Sequence, residues 1–192
     1  MKWFRENLAE NLDFEAVNQA IAGVPRGSRR LIYLPYLMGE RTPHLDPDCR
    51  GVFFGLSAVH KRADMLRAVM EGVSFSLLDC WNILKEMNIE IKDMMACGGS
   101  KSPLWRQMLA DMYGCPVKVG GDGGGAVLGA AILAGVAAGI YEDVPAACRR
   151  FVGVDSVCQP KPDAHEYYGK VHKLYNKLYE QLKECYKDLA VL

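Results

Sequence analysis

No apolar run in this 192-residue chain is long enough to cross a bilayer: the most apolar stretch, Ala126 to Ala138, falls short of the roughly 20 residues a spanning helix needs. The opening segment MKWFRENLAENLDF is charged throughout and has no apolar centre of a signal peptide, so neither export nor a membrane partner is expected. An excess of charge is missing too. With 23 basic and 23 acidic side chains and no long basic run, the chain lacks the electrostatic footprint that a nucleic-acid backbone requires, and nucleic acid is not an expected partner. The seven cysteines are odd in number, scattered and never spaced C-x-x-C, which argues against a disulfide framework and a zinc site and fits a reducing cytoplasm. No G-x-x-x-x-G-K-[ST] occurs, which removes a phosphate-cradling P-loop. His44, His60, His165 and His172 have no spacing that suits a metal or a nucleophilic triad, so no metal site is read.

What is present is the composition of a globular chain, 50% hydrophobic and 24% charged, able to bury a sizeable core. Residues 1–22 read as helix in two pieces, with Asp13 capping the second and Gly23, Pro25 and Gly27 ending it. Leu31 to Leu34 and Val52 to Phe54 read as short strands either side of a loop rich in proline and charge. From Asp64 to about Met87, Leu66, Val69, Val73, Leu77, Cys80, Trp81 and Leu84 recur at helical spacing, predicting one buried stripe with Asp64 as cap. Within it, Gly72 permits close approach of a neighbour. Met94 to Cys97 and Pro116 to Val119 are buried-strand candidates, each leading through glycines into a helix. The first of these helices carries strong signals: Ser102 as N-cap, Pro103 at its first position and Gly114 past its end. Strand alternating with helix is the rhythm of an α/β sheet. Val154 to Pro162 reads as a linker, and Asp163 opens a long amphipathic helix through Val171, Leu174, Tyr175, Leu178, Leu182, Cys185 and Leu189. The expected organisation is residues 1–153 as one unit, 154–162 as linker and 163–192 as a helix docked on that unit.

Three segments are candidates for chemistry. Gly98-Gly99-Ser100-Lys101-Ser102 is a strand-to-helix turn in which paired glycines let a ligand approach the backbone beside a helix N-terminus; the same residues also serve a tight βα connection with no ligand. Gly121, Gly123 and Ala126 satisfy G-x-G-x-x-A, the dinucleotide fingerprint, but the acid expected at the end of a second strand is not in place, as Glu142 and Asp143 follow a helix end. Glu40, Arg41, Thr42 and His44 sit in a loop that concentrates titratable groups between strands, a composition shared by site loops and ordinary turns.

Gly51 to Leu56 (GVFFGL) followed by Asp64 to Glu71 (DMLRAVME) resembles the second signature of the sugar-kinase family that includes xylulokinase, gluconokinase and glycerol kinase. LPYLMGERTPHLDPDCRGVFFGL (Leu34 to Leu56), ADMLRAVMEGVSF (Ala63 to Phe75) and ACGGSKSPLWRQMLADMYGCPV (Ala96 to Val117) extend the likeness, which is nearest to the xylulokinase members. The resemblance implies an actin-like, ribonuclease-H-like fold, with a mixed sheet flanked by helices and a long C-terminal helix. It makes this chain the C-terminal, ATP-side domain. In that scheme Gly98 to Ser102 look like the adenosine-binding motif, Ala126 to Ala134 like the interdomain helix, and ATP with Mg²⁺ are the cofactors. The family shows glutamates before that helix, where this chain has Gly121-Asp122-Gly123-Gly124-Gly125. Nothing here resembles the family's Asp-Gly-Thr/Ser phosphate loop or its Gly-Asp-Asn/Gln base motif, so the catalytic base and most of the sugar site are expected in a preceding N-terminal part. The implied reaction of the complete enzyme is phosphorylation of a sugar, D-xylulose to xylulose 5-phosphate, and the chain alone is expected to be inactive. An open sheet edge at such a boundary predicts pairing, as in a homodimer. The alternatives are a dinucleotide-binding domain around Gly121 to Ala126 and a non-catalytic interaction module.

Overall fold

The computed structural model describes residues 1–96, 102–120 and 125–192. Two short helices open the chain, α1 (Lys2–Leu8) and α2 (Phe14–Ala22), and the Asp13 carboxylate caps α2 by accepting the Ala16 amide at 2.7 Å. A left-handed turn, Gly27 to Arg30, then leads into β1 (Ile32–Leu34), which pairs antiparallel with β2 (Val52–Phe54), Tyr33 opposite Phe53.

Helix α3 (Arg62–Glu86) is the axis on which the rest is assembled. The single apolar stripe predicted from its spacing is too narrow. From Asp64 to Phe75 the helix is buried nearly all round, whereas Leu77 and Leu84 of that stripe are exposed. The reason is that β1, α2 and α4 pack against different sides of it. Its cap also differs from expectation: Lys61 is the N-cap residue, and Asp64, one turn on, reaches back to accept the Lys61 amide at 2.8 Å. Gly72 meets the predicted close approach, since a Cβ there would fall inside the Tyr33 carbonyl oxygen of β1.

The second sheet has order β3-β4-β5, with β3 (Met94–Ala96) parallel to β4 (Val117–Gly120) and β5 (Val154–Cys158) antiparallel to β4. Helix α4 (Pro103–Tyr113) makes the right-sized crossover between β3 and β4 and ends at Gly114, whose φ of 66° lies in the left-handed region that a C-terminal stop requires. Then come α5 (Gly125–Ala137), α6 (Val144–Phe151) and α7 (Pro162–Ala190). Residues 154–158, read from sequence as part of a linker, are strand β5. Its side chains are exposed along most of the strand, so no inside–outside alternation marks it in the sequence. Helix α6 has no counterpart among the sequence-predicted elements.

Helix α7 packs on α4 and β1 and contributes Tyr168, Tyr175, Leu178, Tyr179 and Tyr186 to the main core. Its buried stripe is mostly tyrosine; Leu174 and Leu189, predicted to lie on it, are exposed. Asp163 makes no cap either: it forms an ion pair with Arg26 at 2.8 Å, and Glu166 pairs with Lys170. No helix among the described residues is long and apolar enough to cross a membrane.

Because the α3–β1 contact leaves no room for a side chain at position 72, Gly72→Ala is expected to cost about 1–3 kcal/mol or more. Urea denaturation measures this, and an unchanged midpoint would contradict the packing described.

Candidate functional site

The two acids of the Asp64–Glu71 signature face inward and act on the scaffold. Glu71 Oε1 accepts from the Gly27 amide (2.9 Å), Arg67 Nε (3.0 Å) and the Tyr168 hydroxyl (3.0 Å), and Oε2 accepts from Ser28 Oγ (2.8 Å). Arg67 is itself buried and completes the cluster by donating to the Val24 carbonyl (2.8 Å) and to Tyr168 Oη (3.2 Å). A carboxylate so buried is tolerated because both of its oxygens find donors and a guanidinium lies beside it. Asp64 receives Arg29 Nε at 3.1 Å from the same left-handed turn.

The loop holding Glu40, Arg41, Thr42 and His44 is closed on itself. Glu40 and Asp46 exchange backbone hydrogen bonds of 2.8 Å in both directions. Glu40 Oε1 accepts the Arg41 and Thr42 amides (2.8 and 3.2 Å), and Oε2 accepts Ser76 Oγ of α3 (3.1 Å). Asp46 accepts the Asp48 and Cys49 amides and, on its other oxygen, the Tyr179 hydroxyl at 2.9 Å. Burial alone would raise the Asp46 carboxyl, but these donors, Tyr179 foremost, hold it below the usual value. Both acids are therefore spent on shaping the loop. Arg41 and Thr42 stay exposed.

His44 is different. Its ring stacks on Tyr179 with centroids 3.5 Å apart, and its Nε2 lies 3.2 Å from the Tyr36 hydroxyl, which in turn meets Tyr175 Oη at 2.8 Å. Burial pushes the imidazole below its ordinary value. Beside it, α3 and α7 add the buried pair Asp79–His172, with Oδ1 and Nε2 2.7 Å apart. Pro43, His44, Asp79, Asn82, Ile83, Glu86, Asn176 and Glu180 enclose a cleft of about 270 Å³. Of these, only His44 was singled out by its sequence context. Asp79 and His172 fall beside the apolar stripes read from the sequence and Tyr175 lies on one, and their polar pairing becomes visible only when α3 and α7 face each other.

Of the predicted nucleotide contacts, Gly98, Gly99, Ser100 and Lys101 lie outside the described residues, as do Gly121 to Gly124. Ser102 is described and buried. Its Oγ accepts the Trp105 amide at 3.1 Å and its carbonyl accepts the Arg106 amide at 3.0 Å. Pro103 has no N–H, so the opening of α4 is largely satisfied from within and Ser102 serves as its cap. Trp105 Nε1 then donates to Ser74 Oγ at 2.8 Å, tying the start of α4 to α3. Because β3 and β4 run parallel, α4 and α5 both begin beyond the same end of the sheet, the end at which open α/β sheets take ligands. No described hydrogen bond joins Ser102 to the Glu40–His44 loop; α3 bonds to Trp105 of α4 through Ser74 and to Glu40 of the loop through Ser76. The dinucleotide alternative fits poorly, since the strand after α5 and α6 returns antiparallel to β4 where that fold needs a parallel one.

A histidine depressed by burial stays neutral in the fold, while the unfolded chain takes up a proton near pH 6.5. Its contribution to stability is therefore complete above that pH and is lost as the pH falls. His44→Gln should lose less stability than the parent between about pH 7.5 and 5 in urea titrations. Parallel losses in the two proteins would contradict this role.

Comparison with known proteins places these features in a family. Residues 1–138 match the description "FGGY family of carbohydrate kinases, C-terminal domain". A xylulose kinase of Staphylococcus epidermidis is 34% identical over 193 aligned positions that cover 100% of this chain and 39% of the relative. Among solved structures, a ligand-bound xylulose kinase from Lactobacillus acidophilus superposes with a TM-score of 0.89 at 32% identity, covering 97% of this chain and 38% of that one. A gluconate kinase from the same organism gives 0.87 at 32% identity, with 97% and 38% covered. The chain thus spans about two fifths of the length of the relatives it matches.

Proposed function

The chain belongs to the FGGY family of carbohydrate kinases, and on that premise we propose that it forms the ATP-side domain of a cytoplasmic sugar kinase. The reaction is transfer of the ATP γ-phosphate to a hydroxyl of D-xylulose, giving ADP and xylulose 5-phosphate. The observation that carries the reading is the match of the C-terminal kinase domain over residues 1–138, together with relatives named xylulose kinase along the whole chain. An actin-like architecture is part of the same proposal and is supported by the mixed sheet and its flanking helices.

The nucleotide is assigned to the shared end of β3 and β4, with the backbone of Gly98 and Gly99 against the adenosine and Ser100 and Lys101 beside it. Ser102 holds the start of α4 in place for them. With Pro103 lacking an N–H and Ser102 accepting the Trp105 and Arg106 amides, the helix end has few N–H groups left for phosphates, which favours contact with adenosine over the phosphate chain. Among the described residues no group of histidines, cysteines and carboxylates could hold a metal. Mg²⁺ is assigned to the nucleotide's phosphates, in keeping with its habit of arriving with them. Glu40, Arg41, Thr42 and His44 belong to a braced loop on the far side of α3, and they take no part in the proposed transfer.

Calorimetric titration of the purified chain should show weak binding of ADP and ATP, none of NAD, and loss of nucleotide binding in Gly99→Val. A coupled assay with ATP and D-xylulose should show no turnover by these 192 residues alone. Preference for NAD, or nucleotide binding untouched by Gly99→Val, would overturn the assignment.

A further inference from the structure

The cleft between the Glu40–Asp46 loop, α3 and α7 has no role in the proposed phosphoryl transfer, yet its floor is chemically unfinished. Asp79 is 92% buried by side chain, since only 8% is accessible. Its Oδ1 meets His172, but no donor among the described residues reaches Oδ2. Asn176 Oδ1, across the same cleft on α7, is likewise buried without a donor. A carboxylate oxygen and an amide oxygen buried together without a donor are costly, which makes them a demand for N–H or O–H groups from elsewhere.

The surroundings specify the charge of what would supply them. Glu86 of α3 and Glu180 of α7 stand at the exposed mouth, and Asp79 lies at the base. Glu180 is shared with Lys183 at 2.8 Å, whereas Glu86 pairs with no cation among the described residues. Ile83 and Pro43 supply apolar wall between floor and mouth. His44, the one basic group lining the cleft, is held toward its neutral form by burial. No described cluster has the ligand set of a metal site.

We propose that this cleft binds a short linear diamine. One ammonium donates to Asp79 Oδ2 and Asn176 Oδ1, the methylenes lie along Ile83 and Pro43, and the second ammonium pairs with Glu86. A volume of about 270 Å³ admits such a molecule. The inference stands apart from the kinase assignment: it uses different residues, on the other side of α3 from Ser102.

Titration calorimetry with 1,4-diaminobutane, 1-aminobutane and 1,4-butanediol tests it on the purified chain. The diamine should bind at one site, the monoamine more weakly, and the uncharged diol not at all. Asp79→Asn should weaken the diamine about ten- to hundred-fold, the range for a hydrogen bond to a charged group. Circular dichroism would establish that this variant remains folded. Glu86→Gln alters only an exposed carboxylate, so it provides a test independent of folding, and it should reduce the diamine to the affinity of the monoamine. Equal behaviour of diamine and diol would mean that water alone fills the cleft, and the proposal falls. Diamine binding unchanged by Glu86→Gln would overturn it as well.

Discussion

The Glu71 carboxylate is the point on which the N-terminal turn, the central helix and the C-terminal helix all depend. Four donors from three parts of the chain converge on it: the Gly27 amide and Ser28 hydroxyl, the Arg67 guanidinium, and the Tyr168 hydroxyl. The turn it holds is one the backbone resists. Gly27, Ser28, Arg29 and Arg30 have φ of 74°, 48°, 55° and 71°, a consecutive run in the left-handed region, where each non-glycine residue costs roughly 1–2 kcal/mol. Such a run persists only where its surroundings over-determine it, and here Glu71 and Asp64 fasten it from one face of α3. From that turn the chain enters β1 at the depth that lets Tyr33 lie against Gly72.

Much of what surrounds the cleft follows from the same anchorage. With Tyr168 fixed on Glu71, the next turns of α7 present His172 to Asp79, Tyr175 to Tyr36, and Tyr179 to both His44 and Asp46. Each tyrosine buries its ring in the core and leaves its hydroxyl to a polar partner, which is how one helix can serve as core and as wall of a polar cleft. Burial drives the Tyr36, Tyr168 and Tyr175 hydroxyls above their ordinary values, so they remain protonated donors through the physiological range. On its other side α3 positions α4 through Ser74 and Trp105, and with it the sheet end assigned to nucleotide. One helix thus stands between two candidate sites and braces both.

The parts of this arrangement legible in the sequence are those governed by local rules. Asp13 and Ser102 act as caps, Gly114 ends α4 and Gly72 admits a neighbour, each from chemistry confined to a few residues. The family likeness in Gly51–Leu56 and Asp64–Glu71 likewise identified the chain's kinship, and the structure assigns its two acids to the scaffold. What stayed hidden depended on non-local pairing. Strand β5 is an exposed edge without alternation, and α7 docks by Tyr168, Tyr179 and Tyr186 beside the predicted Tyr175 and Leu178, while Leu174 and Leu189 stay exposed. Asp79 and Asn176 look like incidental polar residues on two separate helices until those helices pack together.

Glu71 and Tyr168 act as one unit joining α3 to α7. A double-mutant cycle with Glu71→Gln, Tyr168→Phe and the pair, read by urea denaturation, measures that coupling directly. Coupling through the shared oxygen should give an interaction energy of about 1 kcal/mol or more, within the range for residues sharing one hydrogen-bond network. Additive losses, within about 0.3–0.5 kcal/mol, would show that the two side chains act separately and would contradict it.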